Sequence, residues 1–112
     1  MADSEAMRRV GADVMITVVT RVRVADGMSI AMRVTIMARR TKDVERGRLE
    51  PLLQQLAEEA VERVCGRYSP LDIRDAEKRG MLSAELGEEL ARRVDEVGAP
   101  VKILMVRVDE GV

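Results

Sequence analysis

At 112 residues with a formal net charge of −1, the chain can bury one modest core and lacks the basic excess of a general nucleic-acid binder. Histidine is absent and Tyr68 is the sole aromatic residue. That removes the commonest acid–base group and metal ligand and leaves no platform on which bases could stack. The core must be built from Val, Leu, Ile, Ala and eight methionines. Methionine fills space but specifies packing loosely, so a core completed by a neighbouring chain is expected. The single cysteine, Cys65, excludes an intrachain disulfide and fits a reducing, cytoplasmic setting. No stretch is apolar enough for long enough to span a bilayer, and no signal peptide is recognisable.

Residues 1–12 are polar and unpatterned and read as a flexible tail, leaving 13–112 as a single domain. From Val14 to Val24 the chain alternates. Val14, Ile16, Val18, Thr20, Val22 and Val24 point one way, and Met15, Thr17, Val19, Arg21 and Arg23 the other, as in a half-buried strand. Met28 to Arg39 alternates as well, with Met28, Ile30, Met32, Val34, Ile36 and Ala38 toward the core. The link Ala25-Asp26-Gly27 closes a hairpin. A two-residue Asp-Gly turn would set one strand's core face against the other's polar face. A three-residue loop with Gly27 left-handed instead pairs Val24 with Met28, Val22 with Ile30, Val19 with Arg33 and Thr17 with Thr35, and keeps all core residues on one side.

The charged connection 40–47 leads to the most strongly patterned stretch, LEPLLQQLAEEAVERV. There Leu49, Leu52, Leu53, Leu56, Ala57, Ala60, Val61 and Val64 recur at helical spacing. Gly47 and Pro51 bracket the helix start and Gly66 its stop. Ser69, Pro70 and Asp72 open a second, short helix expected to end at Gly80. Ser83 reads as the cap of a third helix with Leu86, Leu90, Val94 and Val97 inward and with Glu88–Arg92 and Glu89–Arg93 pairs outward. Gly98 and Pro100 terminate it. The last stretch, VKILMVRV, is a nearly continuous apolar strand, which implies cover on both faces or a subunit contact. The order β-β-α-α-α-β makes an α+β fold, helices packed on one face of a small antiparallel-hairpin-based sheet.

Taken together, these segments resemble the stomatin/prohibitin/flotillin (band 7, SPFH) domain. The hairpin reads VADGMSIAMRVTI, similar to the family's T-x-D-G-v-x-v-x-v-x-v-x. The first helix ends VERVCGRYSPLDI, similar to v-R-x-v-i-g-x-y-t-l-x-e-l. The close of the chain, VDEVGAPVKILMVRVDEG, is similar to a-x-x-x-G-i-x-V-x-x-V-x-I-x-d-i. The likeness covers roughly residues 14–111. It departs from the family in lacking a membrane segment, the first part of the sheet and the long coiled coil, and in carrying Gly80 where the helix is usually continuous. It implies an oligomerising core without its anchor, in a ring-forming family that sits at membranes beside membrane proteins and proteases. That would make the chain peripheral to a membrane. The flagellar stator-associated membrane proteins have a similar domain shape.

No glycine-rich phosphate loop or calcium loop occurs, so no cofactor or metal is expected. Cys65 lies four residues after Val61 and reads as an inert thiol at the core edge. Tyr68 reads as a hydrophobe whose hydroxyl reaches water. No catalytic residues are assigned, and an enzyme is not expected. The outer sheet face carries Arg21, Arg23, Arg33 and Arg39 beside Met15, Val19 and Met37, and the helices carry Glu58, Glu59, Glu62, Glu85 and Glu88. Docking of the basic sheet face on the acidic helix face of a neighbour would build a homo-oligomer, with Glu59→Arg rescuing Arg33→Glu. A solvated face whose charges guard the sheet edge and a small nucleic-acid-binding module are the competing readings; the methionines favour protein over phosphate. The functional expectation is a non-enzymatic scaffold that organises itself and a partner protein. An enzyme subunit without catalytic residues of its own is a third reading.

Overall fold

The computed structural model describes residues 11–23, 25 and 27–110. The elements run β1 (Val14–Arg23), β2 (Ser29–Arg40), α1 (Arg46–Cys65), α2 (Pro70–Arg74), α3 (Ala76–Val97) and β3 (Val101–Glu110). The strands form one antiparallel sheet in the order β1-β2-β3. Helix α1 packs on β1, α3 packs on β3, and the two helices pack on each other. The fold is thus the expected two-layer α+β domain. The tail reading over 1–10 and the Val24–Met28 pair lie outside the described residues.

The hairpin has the register that hydrophobic alternation demands. Val22 pairs with Ile30, Val19 with Arg33 and Thr17 with Thr35. Gly27 sits at φ 84, a left-handed conformation that costs a residue without Cβ nothing. Val14, Val18, Val22, Met32, Val34, Ile36 and Ala38 form the sheet's side of the core. Met28, expected among them, is exposed, because it sits beside Gly27 at the hairpin's tip. The neighbouring Ala25 N–H donates to the Tyr68 carbonyl (2.9 Å), which ties that tip to the end of α1.

Helix α1 buries Leu49, Leu53, Leu56, Ala57, Ala60, Val61, Val64 and Cys65, the face its periodicity predicts. It begins three residues before Leu49. Pro51 is therefore its sixth residue and not part of its first turn, and the Gly47 carbonyl that Pro51 cannot serve lies in an exposed stretch. Glu45 caps the start without a side-chain bond. Val44, partly buried against the core, and Leu49 occupy the two positions of a hydrophobic staple, which orients the entry in its place.

The second half of the helical layer departs from expectation. Ser69 does cap α2, in a reciprocal box with Asp72 (3.2 and 3.0 Å). The break, however, falls at Asp75 and not at Gly80. Asp75 is extended (φ −80, ψ 121), and its carboxylate accepts from the Glu77 N–H at 3.0 Å as the cap of α3. α3 then runs unbroken through Gly80 and Ser83 to a left-handed Gly98 (φ 66). Ser83 is no cap. Its hydroxyl accepts from the Val108 N–H (3.0 Å) and bridges α3 to β3. Of the expected surface pairs, Glu89–Arg93 forms (3.0 Å), whereas Arg92 turns to Glu89 and Glu96 and away from Glu88.

Strand β3 lies at the sheet's edge, with Met105 44 % exposed; it is not covered on both faces. Its register slips where Met37 pairs with Met105 and Ala38 with Ile103, so that Leu104 is bulged out.

Candidate functional site: the uncovered sheet face

Two helices cover one face of the sheet, and the pairing register lays out the other as cross-strand rows. Met15, Met37 and Met105 form one row; Thr17, Thr35 and Arg107 the next; Val19, Arg33 and Asp109 a third. Arg21 opposes Ala31, and Arg39 opposes Lys102. The face therefore carries Arg21, Arg23, Arg33, Arg39, Lys102 and Arg107 against one carboxylate, Asp109, which Arg107 already holds at 3.0 Å. With the whole chain at −1, the remainder carries the balancing acid. Alternation exposed the four arginines to sequence reading. Lys102 and Arg107 escaped it because β3's near-continuous apolar run hid which of its residues face outward.

The middle of this face is drier than its position implies. Thr35 and Met37 are 7 % and 5 % exposed, each held on the central strand between neighbours in its row. Met37, a candidate contact residue, is thus largely enclosed within its own chain. Val19 at 62 % and Met105 at 44 % are the open apolar positions flanking it.

The five candidate carboxylates are not one surface. Glu59 pairs with Arg93 (3.0 Å) across α1 and α3. Glu85 accepts the Tyr68 hydroxyl (2.8 Å) and lies 3.4 Å from an Arg67 nitrogen. Glu88 is exposed beside Arg92 in a shallow groove with Val64 and Arg67. Glu58 and Glu62 line an open cleft of about 850 Å³ at the hairpin end, whose opposite wall includes Arg21 and Arg23. Some of the opposite charges expected to meet between copies therefore already face one another within one copy. Arg21, Arg23, Arg33, Arg39 and Lys102 form no ion pair among the described residues, although Arg33 stands opposite Asp109 across β2 and β3.

Tyr68, Glu85 and Cys65 make a cluster of interacting titratable groups in the helical layer that sequence reading missed. Tyr68 is buried, and its hydroxyl, expected to face outward, donates to Glu85 of α3. Burial, then the Glu85 bond, pushes the Tyr68 hydroxyl up to about 12. Burial, with the Glu85 charge second, pushes the Cys65 thiol up to about 12. A thiol so placed is protonated at neutral pH and a poor nucleophile. Among the described residues no three His, Cys, Asp or Glu side chains gather as metal ligands, and no helix is long and apolar enough to cross a membrane.

No family model matches the chain, and no curated protein matches it either.

Proposed function

We propose that the chain is a non-enzymatic assembly module whose uncovered sheet face docks on an acidic surface of a neighbouring copy, head to tail. The carrying observation is the composition of that face: a methionine row and Val19 amid cations of which, among the described residues, only Arg107 is paired within its own chain. Two such faces repel each other, so the partner surface must be acidic, and the helical side of a second copy offers Glu88 and the rim of the Glu58–Glu62 cleft. A face-to-back contact of this kind propagates into rings or filaments. Methionine side chains adapt to an imperfectly matched surface at little cost, and the cations supply orientation and a salt-dependent encounter. The likeness to the band 7 core, an oligomerising domain, points the same way. A membrane-protein or protease client belongs to that likeness alone.

Light scattering after size exclusion at low and high salt tests the reading. Assemblies larger than a dimer are expected at low salt and should shrink at high salt. Arg33→Glu should weaken them and Glu88→Arg in the same chain should partly restore them. Glu59 is the poorer reversal site because Arg93 already holds it. Profiles indifferent to salt and to Arg33→Glu would overturn the proposal.

A further inference from the structure

The sheet's two edges differ. At β3, the Val108 N–H points away from β2 and is taken by Ser83 of α3. Leu104 interrupts the strand with a bulge, and Lys102 stands on it. These are the devices by which proteins blunt an edge against further pairing.

At β1 the charges are confined to Arg21 and Arg23 at the hairpin end, and among the described residues no bulge or side chain closes the strand between Val14 and Thr20. The register runs unshifted from Val14↔Ala38 to Arg23↔Ser29. From Val14 to Thr20 the strand carries no charge, proline or glycine. Its outward amides follow from antiparallel alternation. Val108 turns its N–H from β2, so its partner Val34 directs its own groups to β1, where it faces Val18. The even-numbered residues of β1 thus bond to β2, and Met15, Thr17, Val19 and Arg21 present N–H and C=O groups to the free edge. Among the described residues nothing takes them. The alternation breaks one residue before the strand, where the Asp13 N–H turns inward to the Ala38 carbonyl (3.0 Å).

We infer that β1 is a dimerisation edge, pairing antiparallel with β1 of a second copy about a two-fold axis to make a continuous six-stranded sheet. The occupant follows from self-complementarity. A two-fold axis at Val18 sets odd residues opposite odd and even opposite even, so both copies keep their core face under their helices. It brings Thr17 opposite Val19 and Met15 opposite Arg21, and carries Arg23 to the Asp13 end of the partner. No cation then meets a cation. Because each copy has one such edge and β3 is blunted, growth by strand addition stops at two copies.

This contact uses a surface distinct from the head-to-tail face, and its test separates the two. At high salt, where the charged contact is screened, a dimer should remain, in wild type and in Arg33→Glu alike. Thr17→Pro removes one outward amide and no bond of the chain's own ladder, and should halve the scattering mass at high salt while circular dichroism is retained. Hydrogen exchange on the wild-type protein decides independently of whether that variant folds. The amides of Met15, Thr17, Val19 and Arg21 should exchange slowly, and faster on dilution. A monomer at high salt, a folded Thr17→Pro that stays dimeric, or fast exchange at these four amides at every concentration would overturn the inference.

Discussion

Tyr68 joins three elements through two groups. Its carbonyl accepts from Ala25 at the hairpin tip, and its hydroxyl donates to Glu85 of α3. Removing only the hydroxyl leaves a carboxylate oxygen without its donor, a change that costs about 1–2 kcal/mol. Tyr68→Phe should therefore lower the unfolding free energy by that amount, read as a lower urea midpoint with the slope unchanged. The pH dependence has a definite sign. Both the Tyr68 hydroxyl and the Cys65 thiol are held above their ordinary values of 10.0 and 9.0, each to about 12. The folded state thus favours their protonated forms. Their stabilisation is complete below pH 9 and is lost as pH rises toward about 12. Urea melts should show a flat midpoint up to pH 9 and a fall beyond it, shallower in Tyr68→Phe. At the other end, the Arg40 backbone N–H and guanidinium hold the Asp13 carboxylate below its ordinary range. That contribution is present at neutral pH and is lost as pH falls through the folded value.

Helix α3 shows how local signals lose to a whole element. Gly80 is a helix breaker by propensity, costing roughly 1 kcal/mol against Ala. Yet a turn of strong formers lies on either side, and Leu82, Leu86, Leu90 and Val94 bury one stripe of the helix. Continuous burial outweighs one poor residue, and Asp75 provides a better cap five residues earlier. Ser83 is then released to serve the strand edge. Beyond its own turn of helix, nothing among the described residues lies within 4 Å of where a Gly80 Cβ would stand. Gly80→Ala should stabilise the protein by about 0.5–1 kcal/mol, measured as a raised urea midpoint; a destabilised variant would mean that Gly80 packs against something. Gly98 is the opposite case, because its left-handed φ of 66 ends the helix.

For the molecule as a whole, stability rests on the helix-on-sheet layer. Leu56 is buried in the one continuous core shared by the helices and the sheet. Leu56→Ala should cost about 2–5 kcal/mol in urea melts, and a loss under about 1 kcal/mol would place it outside the core. The sheet's unequal edges and uncovered face mark where the layer remains open to another chain.

Periodicity alone determined the α+β class, the element order, the hairpin register and the buried stripe of α1. Each depends on which residues of one segment share a face, and segments 3.6 or 2 residues in period carry that within themselves. The N-cap of α2 was legible for the same local reason, as were the four arginines of the outer face. Only the tertiary structure decided the rest. The course of α3 through Gly80, the bond from Tyr68 to Glu85, the Ser83 bridge to β3 and the enclosure of Met37 each depend on a partner distant in sequence. The five carboxylates alternate on their helices as a single acidic face would. Whether a surface charge is free or already answered depends on which element packs beside it, and for Glu59 and Glu85 that neighbour is a side chain 34 or 17 residues away.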